Sequence, residues 1–232
     1  MAPQDRGLYR LRTASDVPYM GTYGYRRPGG KLAAAFFAGL RITLSICVLA
    51  AWVAGVFLYR DTQISLFGLG EGWLTLAHLL VPVGFFCIFL TNRRYGPGYA
   101  FAQVAGTSAV VGGFVALAGQ DINAFVPADS VPPLREAIAF GAAFFVASFV
   151  SITAFDGARG PLWWTAPLIG FLSATVIFAV VFFPWLYFGS DAGWMDHGLQ
   201  FAGLLAGEGL LLLLPFWALR RMVPPMSGFG GY

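Results

Sequence analysis

Six long apolar segments, separated by short polar stretches, dominate the pattern of this chain. A helix rises about 1.5 Å per residue, so about 20 apolar residues cross a hydrocarbon core of about 30 Å. Each segment is roughly that long, and few of them contain a charge. The pattern predicts an all-α polytopic membrane protein, a bundle of six transmembrane helices. The predicted segments are Ile42–Tyr59, Trp73–Leu90, Tyr99–Ala118, Leu134–Phe155, Leu162–Phe188 and Leu199–Leu219.

The basic residues between these segments alternate by side. If the N-terminus is cytoplasmic, all of the 14 Lys and Arg except Arg60 and Arg135 fall on the cytoplasmic side. Such an imbalance is the positive-inside pattern. We therefore expect both termini to be cytoplasmic, in a bacterial-type inner membrane. The net charge of +3 then reflects topology and attraction to anionic headgroups, and we expect no nucleic-acid partner.

Composition agrees with a single membrane-embedded unit. The chain is 58% hydrophobic and 11% charged, whereas soluble domains carry about 25% charged residues. We divide it into a basic, aromatic cytoplasmic head (1–30), a transmembrane domain (31–221) and a short cytoplasmic tail (222–232). Mixtures of Arg and Tyr suit the headgroup layer or the surface of a partner protein. The predicted partner or lipid contacts are Arg10, Arg12, Tyr23, Tyr25, Arg26, Arg27, Arg93 and Arg94.

Breakers and small residues give local expectations. Pro82 predicts a kink in the second segment, and the stretch Thr91–Gly98 predicts an internal loop. The small residues of Gly106–Gly113 and Phe140–Ser148 predict close packing between helices. The 23 phenylalanines are more than a polar pore needs, and we expect an outward face of Phe, Leu and Ala to supply part of a docking surface.

Polar groups inside the segments are the candidates for function, because burying them in hydrocarbon is costly. Glu208 is the one carboxylate well inside a segment. It could carry a proton, bind a cationic group, or pair with a hydroxyl or a partner subunit. The other polar groups could line a substrate path or hold helices together. If the protein is a transporter, the predicted path is lined by Glu208, Gln103, Thr107, Ser148 and Ser151.

Histidines and cysteines offer little further chemistry. His78 and His197, the only histidines, are expected at the same depth and could in principle hold a haem or a metal, although interfacial histidines commonly serve only as hydrogen-bonding groups. Cys47 and Cys87 are expected to be packed free thiols. We predict no cofactor. We also predict no enzyme, because the chain has no phosphate loop, paired carboxylates, catalytic triad or CxxC motif.

Three short stretches together resemble the queuosine-precursor transporter (vitamin-uptake-transporter-like) family of six-helix inner-membrane proteins. They are LTNRRYGPGYA (Leu90–Ala100), FDGARGPLWWTAPLIG (Phe155–Gly170) and LLPFWALRR (Leu213–Arg221). Their order and spacing are similar to the family's Thr-Asn-Arg and Tyr-Gly-Pro stretch, its turn before a tryptophan pair, and its closing Pro-Phe and basic end. The resemblance implies a six-helix transporter scaffold with cytoplasmic termini.

The same comparison implies that the family's buried charges are missing here. The positions where the family carries acids, a Gln, an Asp-Thr pair and a Lys fall in the apolar or hydroxyl-only stretches Cys87–Leu90, Ala147–Ser151, Ser173–Val181 and Phe201–Leu205. A purine-like cation would need such partners, since unpaired burial costs several kcal/mol.

We therefore predict a non-catalytic accessory or structural subunit of a larger inner-membrane complex, respiratory or photosynthetic, built on a transporter-like scaffold. Its partners would be other membrane subunits and lipids. The alternative is a divergent small-molecule transporter, and a weaker third hypothesis is a haem or pigment carrier that uses the two histidines.

Overall fold

The computed structural model describes residues 31–65, 74–118, 133–189 and 193–225. Within them the chain forms six α-helices and no strand, only an isolated bridge between Gln63 and Thr75. All six helices are long and apolar enough to cross a membrane, which confirms the predicted number of segments. The helices are α1 (Lys31–Leu58), α2 (Leu76–Tyr95), α3 (Pro97–Ala118), α4 (Leu134–Gly157), α5 (Thr165–Tyr187) and α6 (Trp194–Leu219). The chain divides into two compact units, residues 1–40 and 41–232, and the second unit contains the helix bundle from Arg41 onward.

The predicted loop at Thr91–Gly98 is wrong. Helix α2 continues through its polar end to Tyr95, and α3 begins at Pro97, so Gly96 alone joins the two helices. Gly96 has φ 87° and ψ 173°, a backbone conformation that is essentially restricted to glycine. Pro97 then suits the first position of a helix, where no N–H is needed. Helix α2 runs through Pro82 without interruption, and the kink at this residue stays a prediction.

Two other helix starts differ from the apolar segments. Helix α1 begins at Lys31, eleven positions before the predicted segment, because Leu, Ala and Phe continue upstream. Helix α6 begins at Trp194 and carries Asp196 in its first turn, where an acidic side chain is favoured by the helix dipole. Hydropathy therefore locates the apolar segment of each helix but not the residue at which the helix begins.

Contacts between chain-distant residues bring alternate helix ends together. At one end Arg41 lies over Tyr95, Arg159 bonds to Asn92, and Arg220 lies over Trp163. We call this the arginine end. At the opposite end Arg60 approaches Glu136, and Arg135 donates to the carbonyl oxygens of Trp185 and Phe188. The helices therefore run up and down through the bundle.

Helices α2, α4 and α5 form the centre of the second unit, and about half of each is buried. Helices α4 and α5 pack most closely. Buried small residues at four-residue spacing explain this closeness, because they let backbones approach. They are Ala139, Ala143 and Ala147 on α4, and Ala166, Gly170 and Ala174 on α5.

Phenylalanine rings fill the space between the helices. Phe85 lies 5.1 Å from Phe144, and Phe89 lies 5.2 Å from Phe155, measured between ring centroids. These are favourable separations for aromatic pairs. Many phenylalanines therefore do not belong to the expected outward face of Phe, Leu and Ala, although Phe114, Phe145 and Phe188 are exposed. The buried ones are Phe85, Phe89, Phe140, Phe144, Phe155, Phe171, Phe178, Phe182, Phe183, Phe201 and Phe216.

Helix α1 is joined to the centre by side chains. The Trp52 indole donates a 2.7 Å hydrogen bond to the Leu80 carbonyl, and its ring lies 4.7 Å from that of Phe144. The ring fits only because Gly84 has no side chain, since an added Cβ would lie 2.5 Å from Trp52 Cζ2. Both cysteines are free thiols, but Cys47 is exposed and not packed as expected.

Candidate functional site

The predicted path residues on α3 bond to α1. Gln103, 1% exposed, donates a 3.0 Å hydrogen bond from Nε2 to the Ser45 carbonyl. Thr107 Oγ1 lies 3.5 Å from the Ile46 carbonyl, one turn further on. At the same level Gly106 leaves room for the Ile46 side chain. Both polar groups therefore hold α1 and α3 together. This is the alternative to lining a substrate path that the sequence left open.

The predicted path residues on α4 face the packed interior. Ser148 and Ser151 are both fully buried. Ser151 donates to the Ser148 carbonyl of its own helix at 3.1 Å, and the Ser148 hydroxyl has no hydrogen-bond partner among the described residues. None of the five predicted path residues lines the cavity at the end of the bundle that contains Arg60 and Glu136.

Glu208 lies at the edge between the buried and exposed faces of α6. Gly209 beside it packs 3.0 Å from the Phe171 Cβ, measured from the position of an added Cβ, while Gly207 on its other side is exposed. The carboxylate oxygen Oε2 is buried and has no hydrogen-bond partner within the described part of the chain. An unpaired polar group in hydrocarbon costs several kcal/mol, so a hydrogen-bond partner for Oε2 would stabilise this carboxyl group if α6 spans a membrane.

The arginine end contains the most developed polar network of the described residues. Arg159 donates through Nε to Asp156 Oδ1 at 2.6 Å. Its Nη2 donates to the backbone oxygen of Asn92 at 2.9 Å and to the Asn92 Oδ1 at 3.0 Å. Asn92 is fully buried, so these bonds fix the end of α2 against the end of α4. Arg159 also lies over the Phe155 ring.

Arg93 and Arg220 extend this network toward α6. Arg93 is 5% exposed, donates from Nε to the Val223 carbonyl at 2.9 Å, and lies 5.7 Å from the centre of the Phe216 ring. Arg220 stands over Trp163 at 5.8 Å and over Trp217 at 5.7 Å. The charges of Arg159 and Arg220 both act on Arg93. We call Arg93, Arg159 and Arg220 the arginine cluster.

The three stretches that carry the family resemblance meet at this cluster. Arg93 belongs to the first stretch, Arg159 and Trp163 to the second, and Phe216 and Arg220 to the third. Sequence reasoning named Arg93 as a contact residue but gave no role to Asn92, Asp156 or Arg159. The sequence did hold a signal for this cluster, because all three stretches were predicted to lie at the cytoplasmic ends of helices.

A second polar region lies at the opposite end of the bundle. A cavity of about 60 Å³ is open to Arg60, which pairs with Glu136 at 3.8 Å and with Asp61 at 3.1 Å. His78 Nδ1 accepts a 3.1 Å hydrogen bond from the Thr75 N–H at the start of α2. The cavity is far smaller than the roughly 300–1,000 Å³ of typical ligand pockets. Its walls are Val56, Phe57, Arg60, Thr75, Ala77, His78, Val81, Glu136, Phe140, Phe178 and Phe182.

The two histidines share this end, as their depth in the sequence suggested. The His78 ring meets Phe201 at 5.1 Å, and the His197 ring meets Tyr187 at 5.4 Å. Across the described ranges, no three His, Cys, Asp or Glu side chains come together as metal ligands. The haem or pigment hypothesis stays a prediction.

The predicted contact residues of the head lie outside the described residues. They are Arg10, Arg12, Tyr23, Tyr25, Arg26 and Arg27. Arg94, next to Arg93, is exposed and lies over Tyr95 at 5.9 Å. Comparison of the chain with models of protein families, with curated proteins and with solved structures finds no match.

Proposed function

We propose that this protein is a non-catalytic accessory subunit of a larger complex in a bacterial-type inner membrane, with both termini in the cytoplasm. The observation that carries the proposal is Glu208, whose buried oxygen lacks a partner in the described chain although it lies on a peripheral helix. A helix of another subunit would supply the missing hydrogen bond. The proposal assigns no reaction to the protein.

The packed centre supports this proposal over a conducting one. A transporter binds its substrate near the bilayer midplane, where polar groups converge. Here the Phe85 ring contacts the rings of both Phe144 and Phe178 at the centre. Gln103 and Thr107 are used in contacts between helices. The described interior is therefore packed with side chains that join helices, as expected of a structural subunit.

The exposed face of α6 supports docking of a helix. Exposed leucines alone do not mark a partner, because a membrane protein presents apolar side chains to lipid anyway. Gly203 and Gly207, however, are four residues apart on the exposed face, and a Cβ at either would meet nothing within 4 Å. This G-x-x-x-G spacing lets a second helix approach closely, and Glu208 adjoins it.

The test compares two glycines that are both exposed and sterically open. Gly207→Ile would block close approach to α6, so we expect partner subunits to be lost on purification in mild detergent. Gly112→Ile on α3 is the matched control, since an added Cβ there also meets nothing within 4 Å, and it should retain the partners. Equal recovery of partners with both variants would refute docking through α6.

Glu208 variants separate hydrogen bonding from charge. Glu208→Gln keeps a polar group that can bond to a partner, whereas Glu208→Leu removes it. We expect Gln to retain most of the association and Leu to weaken it about tenfold or more, the value of one hydrogen bond to a charged group. Retention with Leu equal to that of the unmodified chain would show that Glu208 does not face the partner.

A divergent small-molecule transporter is the second candidate. The resemblance to queuosine-precursor transporters favours it, and so does the cavity near Arg60 and Glu136, whose other walls are mostly apolar. Under this candidate Glu208→Gln abolishes uptake while expression stays normal, although the accessory-subunit proposal expects the same variant to remain assembled. Unchanged uptake would remove the assigned transport role of Glu208.

A further inference from the structure

The arginine cluster carries more positive charge than the described residues neutralise. Asp156 pairs with Arg159, and within the described ranges no carboxylate lies within 4.0 Å of the guanidinium group of Arg93 or of Arg220. Arg93 and Arg220 therefore contribute two positive charges that no described carboxylate neutralises. Arg93 is the most demanding member, since its side chain is 5% exposed and burying an unpaired charge costs several kcal/mol.

The contacts of Arg93 and Arg220 hold their guanidinium groups without neutralising them. Arg93 uses Nε for the Val223 carbonyl. Arg220 lies over the ring of Trp163 and over that of Trp217. Cation–π contacts and a carbonyl oxygen orient a guanidinium group but add no negative charge. An oriented guanidinium group can donate two parallel N–H···O hydrogen bonds to two oxygens of one phosphate.

We propose that the arginine cluster binds a phosphate group at the arginine end of the bundle. The phosphate is the headgroup of an anionic phospholipid, or a free phosphate of the same chemistry. Basic pockets between transmembrane helices bind such headgroups, and the tryptophans that flank this one are typical of the membrane interface. The inference does not rest on the proposed accessory function.

The chain supplies a matched control for each test variant. Two arginine pairs reach this end, and in each pair one residue belongs to the cluster while its neighbour is exposed: Arg93 beside Arg94, and Arg220 beside Arg221. Arg93→Gln and Arg94→Gln change the net charge equally, as do Arg220→Gln and Arg221→Gln. Arg220→Gln serves if Arg93→Gln fails to fold, because no hydrogen bond of the Arg220 side chain is present in the described residues.

The experiment is native mass spectrometry of the purified full chain in detergent with equal amounts of phosphatidylglycerol and phosphatidylcholine. We expect phosphatidylglycerol to be retained preferentially. The preference should fall about tenfold or more in Arg93→Gln and in Arg220→Gln, the effect of one charge-assisted hydrogen bond. It should persist in Arg221→Gln, and Arg94→Gln, at the exposed position that the sequence assigned to partner or lipid contact, should lower it less than Arg93→Gln does.

A second arm identifies the source of the phosphate. Inorganic phosphate is added without lipid, and its binding is followed by the shift in thermal unfolding temperature. Stabilisation that Arg220→Gln removes and Arg221→Gln keeps would identify a free-phosphate site; lipid retention without such stabilisation would identify a headgroup site. The proposal is overturned if neither ligand binds preferentially, or if cluster and control variants lose binding equally.

Discussion

At the scale of single residues, the polar groups inside the helices serve two purposes. Gln103 donates from Nε2 to the α1 backbone, while its Oε1 is buried without a hydrogen-bond partner among the described residues. Glu208 Oε2 is also buried without a partner there, and the Glu208 side chain makes no hydrogen bond to another described helix. The sequence singled out both because each is polar within an apolar segment. It could not separate them, because the Ser45 carbonyl that accepts from Gln103 lies 58 positions away in the chain.

Gly84 gives a prediction at this scale. Gly84→Ala would place a Cβ 2.5 Å from the Trp52 ring, and the ring is held by its 2.7 Å hydrogen bond to Leu80. Overpacking of this kind costs about 1–3 kcal/mol, so we expect a lower unfolding temperature in detergent. Gly112→Ala, at an open position, should leave the temperature unchanged or raise it slightly. An equal response of the two variants would contradict the close packing of Trp52.

At the scale of elements, hydropathy predicted the number of helices and missed how they end. Residues 91–95 are polar, and the sequence pattern assigned them to a loop. They are helical because Asn92 and Arg93 find partners on other elements, in Arg159 and the Val223 carbonyl. Such pairings join residues 67 and 130 positions apart, which no local pattern reveals. Polar helix ends are stabilised here by tertiary contacts.

The single-residue link between α2 and α3 gives the prediction for elements. Gly96→Ala forces a side chain into a backbone region that is essentially restricted to glycine, at a cost of about 1–3 kcal/mol. We expect a matching loss in the free energy of unfolding, measured by denaturant titration in detergent. Gly98→Ala, two positions later, meets nothing within 4 Å and needs no unusual φ, so it should be tolerated. Equal tolerance of both would contradict the turn at Gly96.

At the scale of the whole molecule, the arrangement of charge predicts orientation. Arg41, Arg93, Arg159 and Arg220 gather at one end, and the positive-inside rule places that end in the cytoplasm. A fluorescent protein at the C-terminus should therefore be bright, and alkaline phosphatase inserted between residues 119 and 132 should be active. A dark C-terminal fusion with an inactive phosphatase at that position would reverse the assigned orientation.

The six-helix architecture could be predicted from the sequence, but which face of each helix is buried could not. Many phenylalanines fill the centre and not the expected outward face, as Phe85 and Phe178 show, and Cys47 lies on the surface. In a membrane both lipid and protein interior are apolar, so hydrophobicity does not decide which face of a helix turns inward. Small residues such as Ala143 and Ala147 decide it, by permitting α4 and α5 to pack closely.

Gentle solubilisation of the native membrane, followed by affinity purification and quantitative mass spectrometry, shows directly whether the protein is an accessory subunit. We expect the chain to be recovered with other membrane subunits in fixed stoichiometry, and Gly207→Ile to lose them while Gly112→Ile keeps them. Recovery of the chain alone, with all variants behaving alike, would contradict its role as an accessory subunit and would favour the transporter.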